Sequence, residues 1–590
     1  MAFQLSPGVN VSEIDLTTVV PAVATTEGAI AGVFRWGPTD EPVLIGSEID
    51  LVNRFGKPFA NTTWSNAETF FTAANFLSYS DALYVQRVHE NGVKATGTNF
   101  EGAYEGALGN DIEVAWCDNT GYAGTTVNEI LNIPASSTIG TITENDTTPS
   151  HGLTLGQSVI VAGQELVVTG VEDNANSTHT VATINFDRKF VGTAAHSAAS
   201  FVRQWRFASS FDSAPVAGAG GRGFHVIVLD KGGFTGKAGV LEKFENLGDT
   251  ATDKNFDGST SYINQVLENS SNYVRVKSAA AFTGTSAVEA MTNGADGDSE
   301  TAIGAGPVGL GWDKFKAAEN IDVSLLLTGH PDLVVQNYVI DNIAETRKDC
   351  MAFITPDVSN TASAQDIVTA VSTLSSSSYA VVDSGHKYQY DKYNDVYRWI
   401  PLNGDVAGLC ARTDDARDPW FSPAGYSRGG IKNVVKLALN PTKTDRDLLY
   451  KNGINPVITQ AGQGTLLFGD KTYLNQPSAF DRINVRRLFI VLEKAISTAS
   501  KSTLFEFNDE FTRAQFRNLV EPFLRDVQGR RGIYDFRVVC DETNNTSQVI
   551  DSNQFVGDIY IKPARAINFI QLNFVAVRTG VDFNEIVGAV

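Results

Sequence analysis

Only four of the 590 residues are cysteine, and Cys117, Cys350, Cys410 and Cys540 stand far apart with no CxxC pair among them. That spacing excludes a zinc ribbon, a dithiol redox motif and a disulfide scaffold, and predicts synthesis in a reducing cytoplasm. Long apolar runs are also missing: none approaches the length of about 18 residues that a membrane span requires. The opening residues lack a basic start followed by an apolar stretch, so no secretory leader is expected there. There is no GxxxxGK[ST] and no HExxH string, which removes the common phosphate-loop and zinc-protease signatures. The seven histidines, His89, His151, His179, His196, His225, His330 and His386, include no pair at metal-ligand spacing. Positive charge is the last shortage. With 46 Lys and Arg against 67 Asp and Glu the net charge is −21, and a surface so acidic repels nucleic acid.

What is present describes an ordinary folded chain of several domains. Hydrophobic residues make up 42% and charged residues 19%, neither disordered nor membranous. A length prior gives about three or four domains. The charge is uneven: residues 481–590 hold 14 basic and 14 acidic residues, so the whole surplus lies in residues 1–480.

Residues 1–22 carry Pro7 and Pro21, have no helical period, and read as an extended arm. Fully stretched, 22 residues reach roughly 70 Å. Ala29–Phe34 reads as a strand. Ser65 and Glu68 form a capping-box signature ahead of a helix faced by Phe70, Phe71, Ala74 and Leu77. Residues 82–88 read as a strand. Residues 96–320 change character and read as one or two inserted modules; 130–205 is rich in Thr, Val, Ser and Gly with short strands, as in a small barrel or sandwich. Residues 321–480 return to strand–helix alternation, with strands at 323–327, 350–354 and 379–382 and helices over 332–346 and 364–374, an α/β pattern completed by 23–95. His386–Trp399, with Tyr388, Tyr390, Tyr393, Val396 and Tyr397, reads as a hairpin turning at Asn394-Asp395. Residues 481–578 read as an α+β unit: an amphipathic helix over 484–499, a helical stretch over 508–528 reset at Pro522, and strands at 533–539, 555–561 and 568–577. Residues 579–590 form a tail. The fold class expected is therefore α+β and multidomain.

No string carries convincing chemistry. Gly218-x-Gly220-x-x-Gly223 precedes a strand instead of following one, the wrong context for a dinucleotide site. Gly425-Tyr426-Ser427-Arg428-Gly429 spells a hydrolase elbow, but the neighbouring prolines and glycines predict a loop. Asp383-Ser384-Gly385-His386 reads as a turn, and Asp414-Asp415-Ala416-Arg417-Asp418 as a solvated face, since it lacks the spacing of a calcium loop. The expectation is no catalytic, metal or cofactor site. Arg482, Arg486 and Arg487 cluster at a helix start, with Arg530 and Arg531 in the same unit; a docking patch and a plain solvated face remain open for them.

A resemblance goes further. Leu5-Ser6-Pro7-Gly8-Val9-Asn10-Val11-Ser12-Glu13 resembles the opening arm of contractile tail sheath proteins, and Ala31-Gly32-Val33-Phe34-Arg35-Trp36-Gly37-Pro38 the segment after it, near the sheaths of T4-like phages. The loop from Ser422-Pro423-Ala424-Gly425 to Arg428-Gly429 is similar to a family loop, and so are Val520-Glu521-Pro522-Phe523-Leu524, Gly532-Ile533-Tyr534-Asp535-Phe536, 555–564 and 567–570. These strings cover about a tenth of the chain, in the family's order.

The resemblance implies an inner α+β core from the N- and C-terminal parts, an α/β middle domain and β-rich inserted outer domains. It implies six-fold rings stacked in a helical sheath, held by arms that add strands to neighbouring subunits: Pro7, Gly8, Val9, Val11 and Glu13 at one end, Val581 and Phe583 at the other. It implies a virion location and partners in a tail tube protein, a baseplate and a tail terminator, without direct nucleic acid or membrane insertion. Contraction would drive the tube through a host envelope, with Arg482, Arg486, Arg487, Arg530 and Arg531 expected to face the tube. The alternative it leaves open is the sheath of a tailocin or another contractile injection system.

Overall fold

The computed structural model describes residues 25–568 and 571, apart from short internal segments (124, 128–130, 145–152, 154–156, 176–179, 193–194, 199–200, 217–221, 237 and 278–281). Both arms, nearly all of the strand expected at 568–577, and Gly218 and Gly220 of the glycine string therefore lie outside the described residues.

Outside the insertion the strands used below are β1 (Gly28–Val33), β2 (Val43–Ile45), β3 (Leu83–Val88), β4 (Leu325–Leu327), β5 (Met351–Ile354), β6 (Ala380–Asp383), β7 (His386–Asp391), β8 (Val396–Pro401), β9 (Lys436–Leu437), β10 (Ile454–Asn455), β11 (Ile533–Val539) and β12 (Asp558–Pro563). The helices used below are α1 (Ala67–Leu77), α2 (Leu333–Tyr338), α3 (Ala364–Val371), α4 (Asn403–Ala416), α5 (Ile483–Ser500) and α6 (Glu510–Gly529).

Seven strands form the main sheet in the order β2-β3-β1-β4-β5-β6-β10, all parallel except β2. A parallel sheet is covered on both faces, and its strands read as unbroken apolar runs. β1, β4, β5 and β6 are buried at every residue. Gly32 lets α1 approach β1 closely, since a Cβ there would sit 2.7 Å from Thr69 Cγ2. Residues 28–88 and 325–455 thus make one sheet, and the residues between leave from the end of β3 and return before β4.

The segment Arg35-Trp36 ties that insertion down. Trp36 is buried in the insertion's own core and its indole N–H donates to the Asn272 carbonyl at 3.1 Å, while Arg35 pairs with Asp296. Within the insertion, Ile112–Asp118, Gly223–Asp230, Gly239–Gly248 and Ser286–Ala290 form a four-stranded antiparallel sheet. An eight-stranded sheet from strands within residues 125–205 closes over Ile142, Val159, Leu166 and Ile184.

Three local expectations are corrected. The Ser65–Glu68 capping box is absent: α1 begins after Asn66, whose side chain makes no cap bond. Glu300, returning from the insertion, accepts from the Glu68 and Thr69 N–H groups at 3.2 and 3.0 Å and from the Ser65 hydroxyl at 2.7 Å. Glu68 is instead 2.5 Å from His330 Nδ1. Second, α6 runs unbroken through Pro522, because Leu519, Val520, Leu524 and Val527 are buried on both sides of it. Third, Asp414 and Asp418 are not a solvated face; both are engaged by arginines of the C-terminal unit.

Candidate assembly surface

The C-terminal unit is built on α5 and α6. α5 has two environments. Ile483 and Ile490 belong to the main core, whereas Leu488, Leu492 and Ile496 pack with Phe516, Val520 and Leu524 of α6. The helix therefore rivets the unit to the seven-stranded sheet, and its arginines lie in the seam.

Arg487 forms a two-pronged pair with Asp414, one bond at 2.7 Å, with both side chains only 4% exposed. Arg486 lies between the rings of Tyr379 and Phe480, 4.4 Å from each centroid. These two residues do not face a partner: folding consumes their charge inside the chain. Arg482 contacts Asp470 at 3.2 Å and the Tyr450 hydroxyl. Arg530 bonds Asp418 and covers Trp420 at 5.2 Å, yet its side chain stays half exposed. Arg531 is exposed and takes a left-handed backbone, φ 69°.

The opposite side of the unit is open. β11 and β12 pair antiparallel from Ile533↔Pro563 to Val539↔Asp558, and among the described residues no other strand joins them. An isolated pair of strands is marginal in water and presents two free edges. Beside β12 runs an apolar groove of about 450 Å³, lined by Phe489, Leu492, Ile496, Phe516, Phe555, Ile559 and Ile561. The link between α5 and α6 carries Leu504, Phe505 and Phe507, and the first turn of α6 carries Phe511, all well exposed. The sequence quoted 555–561 as a strand but did not disclose this groove, because its wall comes from two helices 20 or more residues away.

The strings that mimicked active sites fall in turns. Ser427 sits in a turn closed by the Gly429 N–H donating to the Gly425 carbonyl at 2.8 Å, with no strand before or helix after it. In 383–386, Asp383 accepts from Thr355 and Gly385, and Ser384 Oγ accepts from the Val457 N–H. Neither ring nitrogen of His386 has a hydrogen-bond partner, so no relay links the three. Among the described residues no His, Cys, Asp and Glu group is arranged to hold a metal, and no helix is long and apolar enough to cross a membrane.

The described residues thus make a parallel-sheet unit interrupted by a β insertion and followed by a C-terminal unit with a two-stranded sheet. The chain belongs to the contractile tail sheath protein family. Residues 28–88 match the tail sheath protein Gp18 domain III N-terminal region, residues 333–473 the phage tail sheath protein central domain, and residues 475–576 the phage tail sheath C-terminal domain. It is 34% identical over 687 residues to the tail sheath protein of Vibrio phage KVP40, covering 99% of this chain and 100% of that one. Identity to the tail sheath protein of Enterobacteria phage T4 is 33%, covering 99% of each. The sheath tail protein of Desulfitobacterium hafniense superposes with a TM-score of 0.49 at 12% identity, over 94% of this chain and 100% of that one.

Proposed function

We propose that this chain is the repeating subunit of a contractile phage tail sheath, polymerising around a tail tube and contracting to drive the tube through a host envelope. In this reading the C-terminal unit is the inner, joining part and the insertion points outward. The observation that carries it is the pair β11–β12, which no other strand joins among the described residues, with its adjoining groove. An extended arm adds a strand through backbone bonds and drops alternate apolar side chains into a groove. Residues around Pro7, Gly8, Val9, Val11 and Glu13, or Val581 and Phe583, would supply such a strand from a neighbour. Contacts made mainly by backbone survive rotation of the bodies they join, so the lattice can change packing without coming apart.

Tube contact falls to the arginines that retain exposure, Arg530 and Arg531, with Arg482 at the margin. Baseplate and terminator proteins are the partners expected at the two ends, and the virion is the expected location. The free energy of contraction is the difference between two packings of one subunit, so the reading asks for no catalytic centre.

The test is electron microscopy of the purified chain with its tube, comparing wild type with Ile559→Asp. Wild type should form striated cylinders, and the variant should remain monodisperse while keeping its circular dichroism. Cylinders of normal length from the variant would remove the groove from the assembly contact.

A further inference from the structure

The strand order of the main sheet reverses at β1. The chain passes from β1 to β3 on one side, then returns through the insertion to β4, β5 and β6 in sequence on the other. In open sheets of this kind the crevice at the carboxyl ends of the strands, where the order reverses, is the place that holds a ligand. An anion there is commonly seated on a helix N-terminus. Here the crevice lies between the end of β1 and residues 328–330 after β4, under the first turn of α1, which Gly32 lets come close. It already holds an anion. The buried carboxylate of Glu300 accepts from the Glu68 N–H at 3.2 Å and the Ser65 hydroxyl at 2.7 Å through Oε1, and from the Thr69 N–H at 3.0 Å through Oε2. Glu68 and Thr69 are the second and third residues of α1, whose amides have no partner within the helix. The space left over is about 20 Å³, room for roughly one water.

Glu300 arrives from the insertion, 232 residues along the chain from Glu68. The residues just before it are tied to the same end of the sheet: the Trp64 indole N–H donates to the Gly297 carbonyl at 2.7 Å, and Arg35 pairs with Asp296. The surroundings suit a carboxylate. His330 stands at the crevice with Nδ1 2.5 Å from Glu68. Burial opposes a charge on His330, but the Glu68 bond and the Glu300 carboxylate outweigh it and raise its pKa above 6.5. The other acids nearby are engaged: Glu68 by His330, Asp332 by the Val334 N–H and Asp357 by the Ser359 N–H. At the head of the same helix the wholly buried Asn66 holds a further donor, Nδ2, with no hydrogen-bond partner among the described residues. We infer that this crevice is a carboxylate-binding site and that Glu300 is its built-in ligand, plugging the insertion into the main sheet through contacts a free carboxylate can also make. A tether presents the ligand at high effective concentration, so a weak intrinsic affinity is enough to hold the junction closed.

The inference stands apart from the sheath reading, since the free subunit is enough to test it. Glu300→Ala removes the carbon and oxygen atoms of one acetate. Hydrogen exchange over residues 65–70 is followed by mass spectrometry in full-length wild type, Glu300→Ala and Glu300→Gln, each in sodium acetate and in sodium chloride of equal ionic strength. With a dissociation constant of about 10 mM, acetate at about 0.1 M should slow exchange in Glu300→Ala about tenfold relative to chloride. Wild type and Glu300→Gln, whose crevices stay filled, should exchange alike in the two salts. Equal exchange of Glu300→Ala in acetate and chloride overturns the inference and leaves Glu300 a cap that works only as part of its own chain. An acetate effect of the same size in wild type or Glu300→Gln also overturns it, because the crevice is then not where acetate acts. If Glu300→Ala does not fold in chloride, its refolding yield from urea is compared in the two salts. Acetate should restore the folded chain, and equal yields overturn the inference.

Discussion

Arg487 and Asp414 meet as a buried two-pronged ion pair that joins the first turns of α5 to the last turns of α4. Removing one partner strands a charge in the seam between the C-terminal unit and the main sheet. Breaking such a pair costs about 3–5 kcal/mol, while replacing both partners by apolar groups can be neutral. Arg487→Met should therefore lower the urea midpoint sharply, and adding Asp414→Leu should recover most of the loss. If the double variant is as weak as the single, the pair is not what holds the seam.

The turn between β6 and β7 sets a pH profile. Burial pushes the Asp383 carboxyl up to about 8 from 3.8, and the His386 imidazole down to about 4 from 6.5. The fold favours neutral Asp383, so its contribution is full below pH 3.8 and lost as pH rises through about 8. The fold also favours neutral His386, so that contribution is full above pH 6.5 and lost as pH falls through about 4. Between about 4 and 6.5 the two slopes oppose; above 6.5 only the Asp383 decline remains. His386→Leu should unmask a fall in stability over that lower range, and Asp383→Asn a rise of about 3 kcal/mol. Denaturant titrations from pH 4 to 9 measure both, and parallel profiles for the three proteins would refute the assignment.

Glu300 acts as the cap of α1 from across the insertion. Loss of a helix cap costs about 0.5–2 kcal/mol. Glu300→Ala should fall within or above that range, because the Ser65 hydroxyl loses its acceptor too. Ser65→Ala alone should cost less. Chemical denaturation ranks the two, and the reverse order would restore the local capping box.

α4 crosses α1 at glycines. A Cβ on Gly404 would sit 2.4 Å from the Thr72 carbonyl oxygen, a backbone atom that cannot swing aside. Gly404→Ala should cost about 1–3 kcal/mol, as overpacking does. Gly430→Ala meets nothing within 4 Å and should change stability by only a few tenths. Equal melting temperatures for the two variants would show that the helices can separate freely.

Where the sequence was readable, the reason is local. β1 and β5 are apolar runs bounded by turn residues, and the hairpin of β7 and β8 alternates visibly, so each needs no distant information. The capping box failed because the group that serves α1 lies 232 residues away. The arginines misled for a similar reason. Sequence displays a charge but not its partner, and Arg486 and Arg487 sit inside Val-Arg-Arg-Leu-Phe-Ile-Val-Leu, where apolar neighbours on all sides were the hint of burial. The groove beside β12 has no sequence signature, since its lining is gathered from three separate segments.

The position of β1 in the middle of the main sheet has a consequence during synthesis. β3 can cover one edge early, but β4 begins at Leu325, 292 residues beyond Val33. At about 5–20 residues per second a nascent chain needs roughly 15–60 s to deliver that strand. Throughout that interval a fully apolar strand stands with an open edge on the ribosome, beside other ribosomes making the same chain. The newborn subunit is thus a natural client for a holding chaperone, and its yield should depend on elongation speed through the insertion.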